Sequence, residues 1–227
     1  MAESGHRTGV ADHHVRTPGA RVLRGVESGP GLTIGGSIMD KQGPLVLVVT
    51  PPIHAFLTRL PFSDGELRDQ TRQLEALQRY YRQRYDVEIS ISEPVLVQPG
   101  LRDSSRRQLR AEALAASLRN ALPEYDRNTI LIGFTSQDIY PVSENWRFAF
   151  GWRSSATASA VVSTARLSLP YAGLPASAER ASTRLRKVVT KDIGIFYFGL
   201  PQSSNPKSVL YNQIMGIEEL DNAGEDL

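Results

Sequence analysis

The chain has 227 residues, with 26 basic and 24 acidic side chains for a formal charge of +2, and 41% apolar and 7% aromatic content. That balance suits one globular domain of ordinary size plus a tail and is too apolar for a mostly disordered chain. Cysteine is absent, which excludes disulfides, thiolate zinc sites, iron–sulfur clusters and a cysteine nucleophile.

The longest apolar run, LVLVVT from Leu45 to Thr50, falls far short of the roughly 20 residues that span a bilayer, so no membrane span is expected. The first thirty residues carry Arg7, Arg16, Arg21 and Arg24 without the apolar core of a secretory signal. Cytoplasmic residence is the resulting expectation. The last eleven residues hold five acids, Glu218, Glu219, Asp221, Glu225 and Asp226, so residues 1–216 carry +7, that is +2 plus 5. Clusters of this size are commonly solvated faces, and nucleic-acid binding is disfavoured on that ground.

Residues 1–43 are rich in Gly, Ser, Arg and His without periodicity and read as a flexible arm; 44–227 read as one domain. The glycines of SGPGLTIGGS lack the preceding strand and the GK[ST] of a phosphate loop. LVLVVT is a buried strand closed by Pro51 and Pro52. Ser63 and Glu66 form a capping-box pattern ahead of a helix over 64–84, with Leu67, Leu74, Leu77, Tyr81 and Tyr85 at helical spacing. EISISEPVLV, Glu88 to Val97, predicts a second strand bent or at an edge at Pro94. A second helix is expected over 103–121, capped by Ser105 and Gln108, then a buried strand TILIGFT from Thr129 to Thr135. Strand, helix, strand, helix, strand implies parallel pairing through crossover helices. WRFAF (Trp146 to Phe150) and AVVSTA (Ala160 to Ala165) read as a hairpin, and a long helix over 179–198 stops at Gly199 and Pro201. A loop with one short helix completes the chain. The fold class is therefore α/β, a mixed, mostly parallel sheet of about five strands.

From Phe134 to Leu167 the order FTSQDIYPVSENWRFAFGWRSS…AVVSTARL resembles archaemetzincins, with their xDxY turn, NF/W-x-F-x-F-G edge strand and VSTxRL strand before the catalytic helix. The resemblance covers roughly Leu45 to Asp221 and implies a metzincin-like fold with a C-terminal active-site helix. In that family the helix bears HExxHxxGxxH, two zinc-binding histidines one turn apart and a third after the glycine bend. Here the stretch is TKDIGIFYFGLPQ. With Gly199 at the family glycine, Asp192 stands at the first histidine, Ile193 at the glutamate, Phe196 at the second histidine and Gln202 at the third. Leu210, in SVLY, stands where the family has its Met-turn methionine.

A separate argument needs no alignment: the histidines are His6, His13, His14 and His54, so residues 55–227 contain neither histidine nor cysteine. Zinc prefers nitrogen and sulfur ligands, and no metal or other cofactor is expected. Asp192 reads as a surface charge, since carboxylates are seldom fully buried unless paired. Phe196 reads as an apolar plug. His54, at the end of the first strand, is a polar loop histidine rather than a general base, and the arm histidines are at most an incidental metal trap. Arg68, Arg72, Arg79, Arg82 and Arg84, among Tyr80, Tyr81 and Tyr85, form a basic helix face.

Trp146, Phe148 and Phe150 are the candidate binding residues, on a strand that in the resembled family edges the cleft where peptide substrates pair. The reading is a catalytically inactive, metzincin-like pseudopeptidase that binds a protein or peptide, alone or within an assembly. The alternative is a divergent metallopeptidase or hydrolase with a non-standard site, and self-association is a third expectation.

Overall fold

The structure is a computed structural model that describes residues 33–34, 37–38, 44–49, 64–170, 173, 175 and 177–227. All four histidines, Ser63 of the first capping box and most of the proposed arm lie outside the described residues. Within the arm, β1 (Thr33–Ile34) pairs antiparallel with β2 (Ser37–Ile38).

The centre is a five-stranded sheet. In chain order its strands are β3 (Leu45–Val49), β4 (Ile89–Ile91), β7 (Ile130–Thr135), β9 (Gly151–Ser154) and β10 (Ser159–Ser163), arranged in space as β4, β3, β7, β10, β9. The first four in that spatial order run parallel, and β9 runs antiparallel to β10 at one edge. The β-branched runs of β3 and β7 form central strands because both faces are covered. Leu45 and Leu47 point into a core with Leu74, Leu77 and Tyr81 of α1 (Asp64–Tyr85) and with Leu185, Val189 and Ile193 of α3 (Ala178–Phe196). Val46 and Val48 point the other way, onto Leu114, Ala115 and Leu118 of α2 (Ala111–Ala121). The result is three layers, with α1 and α3 on one face and α2 on the other.

Three expectations need correction. The helix expected over 103–121 begins only at Ala111, because residues 102–110 form a hairpin of β5 (Arg102–Asp103) and β6 (Gln108–Arg110), and β6 runs parallel to β8 (Ile139–Tyr140). Asp103 accounts for it: its Oδ1 accepts from the backbone N–H and hydroxyl of Ser105 at 2.9 and 2.6 Å and from Arg106 N at 3.2 Å, closing a tight turn. Asp side chains compete for local backbone donors in this way, and here the turn wins over the helix start. Second, EISISEPVLV takes the edge place expected of it but forms regular strand only over Ile89–Ile91, short of Pro94. Pro94 offers no N–H to the ladder, yet Val95 and Val97 still bury against the second core.

Third, the hairpin strand lies later than WRFAF. Regular pairing runs from Gly151 to Ser154, while Trp146–Phe150 is irregular, held by one bridge between Ala149 and Ile139 and by Ser163 N donating to Phe150 O at 2.9 Å.

Three of the five acids of the C-terminal tail are paired with arginines. Asp221 pairs with Arg184, Glu225 with Arg186 and Asp226 with Arg84, which clamps α4 (Ile217–Asn222) and the residues after it onto α1 and α3. Tyr81 and Tyr85 are buried in the core with Leu74 and Leu77, as their helical spacing predicts, and so take no part in a basic face.

Candidate functional site

The site lies where α3 passes beneath the β9 edge. Ser177 caps α3, its Oγ accepting from Arg180 N at 3.1 Å. The helix ends as expected: Gly199 adopts φ 64°, a left-handed conformation that glycine accepts without steric cost, and the chain reverses there. The following turn packs back against the helix. A side chain at Gly194 would stand 2.8 Å from a methyl of Leu210 and 2.5 Å from one of Leu227, so a larger residue there would push both leucines aside.

Asp192 is 0% exposed, which overturns the surface reading. A partner on the neighbouring strand offsets part of the usual penalty: Arg153 of β9 donates Nε–H to Asp192 Oδ1 at 2.7 Å. The other oxygen, Oδ2, has no partner among the described residues. Burial raises the Asp192 carboxyl above its ordinary value, against the pull of Arg153 and Lys191. Lys191, also buried, donates from Nζ to the carbonyl of Tyr211. Burial, and then repulsion from Arg153, lower this ammonium from 10.5 to about 8, with Asp192 opposing. Replacing Asp192 by Ala is expected to cost about 2 kcal/mol in denaturant unfolding, because the Arg153 guanidinium loses its charged acceptor but keeps access to solvent. No measurable loss would mean that the pair does not form in solution.

Of the other matched positions, Ile193 and Phe196 lie in the main core and Gln202 is exposed beyond the turn. Leu210 packs on the helix at Gly194. Among the described residues no three His, Cys, Asp or Glu side chains converge.

Beside the Arg153–Asp192 pair opens a cavity of about 60 Å³, lined by Trp146, Phe148, Phe150, Gly151, Arg153, Lys191 and Met215 among others. That is room for several water-sized groups. The three candidate aromatics thus share one wall. Trp146 is 37% exposed, Phe148 is half-buried, and Phe150 reaches into the core. Phe148 and Phe150 meet edge to face at 5.3 Å.

The wall is pinned from behind. Arg106 donates to the carbonyls of Trp146 and Arg147 at 2.9 and 3.0 Å, and Gln108 Nε2 donates to Arg147 O at 2.9 Å. Asp138 receives both Nε and an Nη of Arg166, whose guanidinium also covers the Phe148 ring at 4.0 Å. Asp138 belongs to QDIY and Arg166 to VSTARL, so two of the stretches that carry the family resemblance are joined by one ion pair.

No protein-family model matches the chain, and no curated protein matches its sequence. Solved structures do. An archaemetzincin from Methanopyrus kandleri aligns with TM-score 0.59 at 23% identity, covering 82% of this chain and 89% of that one. An archaemetzincin from Archaeoglobus fulgidus, complexed with malonate, gives 0.55 at 20% over 80% and 94%. A zinc-dependent peptidase from Methanocorpusculum labreanum gives 0.55 at 21% over 79% and 94%. The chain has the archaemetzincin fold. Of the residues around this cavity, sequence reasoning named Asp192, as a surface charge, and the aromatics Trp146, Phe148 and Phe150, but not Arg153 or Lys191. The available signal was a Lys–Asp pair in an otherwise apolar stretch of helix; Arg153 lay between the two expected hairpin strands, in neither of them.

Proposed function

We propose that this domain keeps the archaemetzincin frame without zinc peptidase chemistry, and that it binds an extended peptide along the β9 edge. The observation that carries the first half is the state of Asp192: its Oδ1 is held by a guanidinium 2.7 Å away. A cationic partner there opposes a divalent ion, and the matched positions around it offer a phenyl ring at Phe196 and an exposed amide at Gln202. Zinc takes thiolate, imidazole or carboxylate ligands, usually three from the protein in a catalytic site, so these side chains do not fit it. Nor does Ile193 have a carboxylate with which to activate water.

The second half is supported by sheet position. β9 ends the sheet, and among the described residues no strand pairs with its outer edge. An edge of free N–H and C=O groups takes up an extended peptide as an added strand.

Metal analysis and melting curves test the reading together. The purified full chain, made without a histidine tag, is expected to carry no stoichiometric zinc, to melt at the same temperature with or without chelator, and to leave peptide substrates uncut. Stoichiometric zinc with chelator-sensitive cleavage would overturn it.

A further inference from the structure

We propose that the cavity beside β9 takes the C-terminal carboxylate of an extended peptide whose last side chain is apolar, with Arg153 and Lys191 holding the carboxylate. This rests on the peptide-binding reading above and adds to it a chain end and a charge.

Charge complementarity is the first support. Two cations, Arg153 and Lys191, line the cavity, and one carboxylate, Asp192, lies against them, which leaves one positive charge uncompensated. Neither cation is used up. Arg153 spends only Nε on Asp192, and its two terminal nitrogens make no other hydrogen bond among the described residues. Lys191 gives one of its three N–H donors to the Tyr211 carbonyl. A guanidinium fork and a neighbouring ammonium suit the two oxygens of a carboxylate. Both are rooted in rigid elements, a paired strand and the middle of a buried helix.

The rest of the cavity is apolar. Trp146, Phe148, Val188, Ile214 and Met215 surround the charged end, and Met215 is 52% exposed, so they offer an apolar side chain a place beside the carboxylate. A free inorganic anion would leave this surface unused. The approach along the strand favours a peptide over a small acid: β9 begins at Gly151, which itself lines the cavity, so a chain paired antiparallel to β9 has its C-terminal end at the cavity mouth.

Fluorescence anisotropy on the full chain tests this with a labelled hexapeptide of alternating Val and Ala ending in Phe, as the free acid and as the C-terminal amide. The free acid is expected to bind, with amidation weakening it about tenfold or more, as loss of a charge-assisted contact does. Lys191→Met is expected to reduce the preference for the free acid at least several-fold, and an unchanged preference would overturn its role; it keeps the Arg153–Asp192 pair, so it remains informative if Arg153→Met fails to fold. Equal binding of acid and amide would overturn the carboxylate pocket and leave the edge-strand reading standing. N-acetylphenylalanine competing as strongly as the hexapeptide would overturn the peptide as occupant. Binding of neither peptide would overturn both readings.

Discussion

Phe196→Ala is expected to lower the unfolding free energy by about 3–5 kcal/mol, the range for emptying a buried phenylalanine site whose walls cannot close. Phe196 is 9% exposed and belongs to the main core with Val189, Ile193, Tyr197 and Phe198, beneath strands β3 and β7. It sits one helical turn after Asp192, where the resembled family places a second metal-binding histidine. If apolar packing does the structural work at that position, the loss appears in denaturant melts with and without chelator, and equally in both. A loss below about 1 kcal/mol would mean that the ring is not packed as described.

Arg184→Ala is expected to cost as much for a different reason. Arg184 is 1% exposed and uses its whole fork: Nε and one Nη meet both Asp221 oxygens at 2.7 Å, and the other Nη donates to the carbonyls of Leu167 and Leu169 at 2.8 and 2.6 Å. Its removal strands a carboxylate and two carbonyls at once, and breaking a buried pair costs about 3–5 kcal/mol. The pH dependence has a definite sign. Hydrogen bonds from Arg184 hold the Asp221 carboxyl below its ordinary 3.8. The stabilisation is therefore present above about pH 3.8 and is lost as pH falls through the lower folded value. The variant's stability should fall less steeply than wild type across that acid window. Parallel acid curves would show that Asp221 is not paired in solution.

The two side chains mark where sequence reasoning succeeds and where it stops. Phe196 was legible because it stands in the unbroken apolar run Ile195–Phe198 and because the family resemblance sets it at a metal-ligand position. Arg184 was invisible as a core residue, since its partners lie 15 to 37 positions away in sequence. The same division explains the missed hairpin at 102–110. Ser105 and Gln108 have the spacing of a capping box, but Asp103 captures the local donors and Gln108 is drawn to Asp138 and Arg147, thirty-odd residues on.

By itself the sequence determined the α/β class, the two buried strands at Leu45 and Ile130, the long helix that stops before Gly199, and the absence of histidine and cysteine after His54. These are properties of local pattern and of chemical inventory, which require no knowledge of what lies across the fold. Only the tertiary structure decided that Asp192 is buried, that Arg153 reaches it from the next strand, and that the acidic tail neutralises helix arginines. Each depends on a pairing between distant residues, and a charge can enter the interior only when such a partner is waiting there.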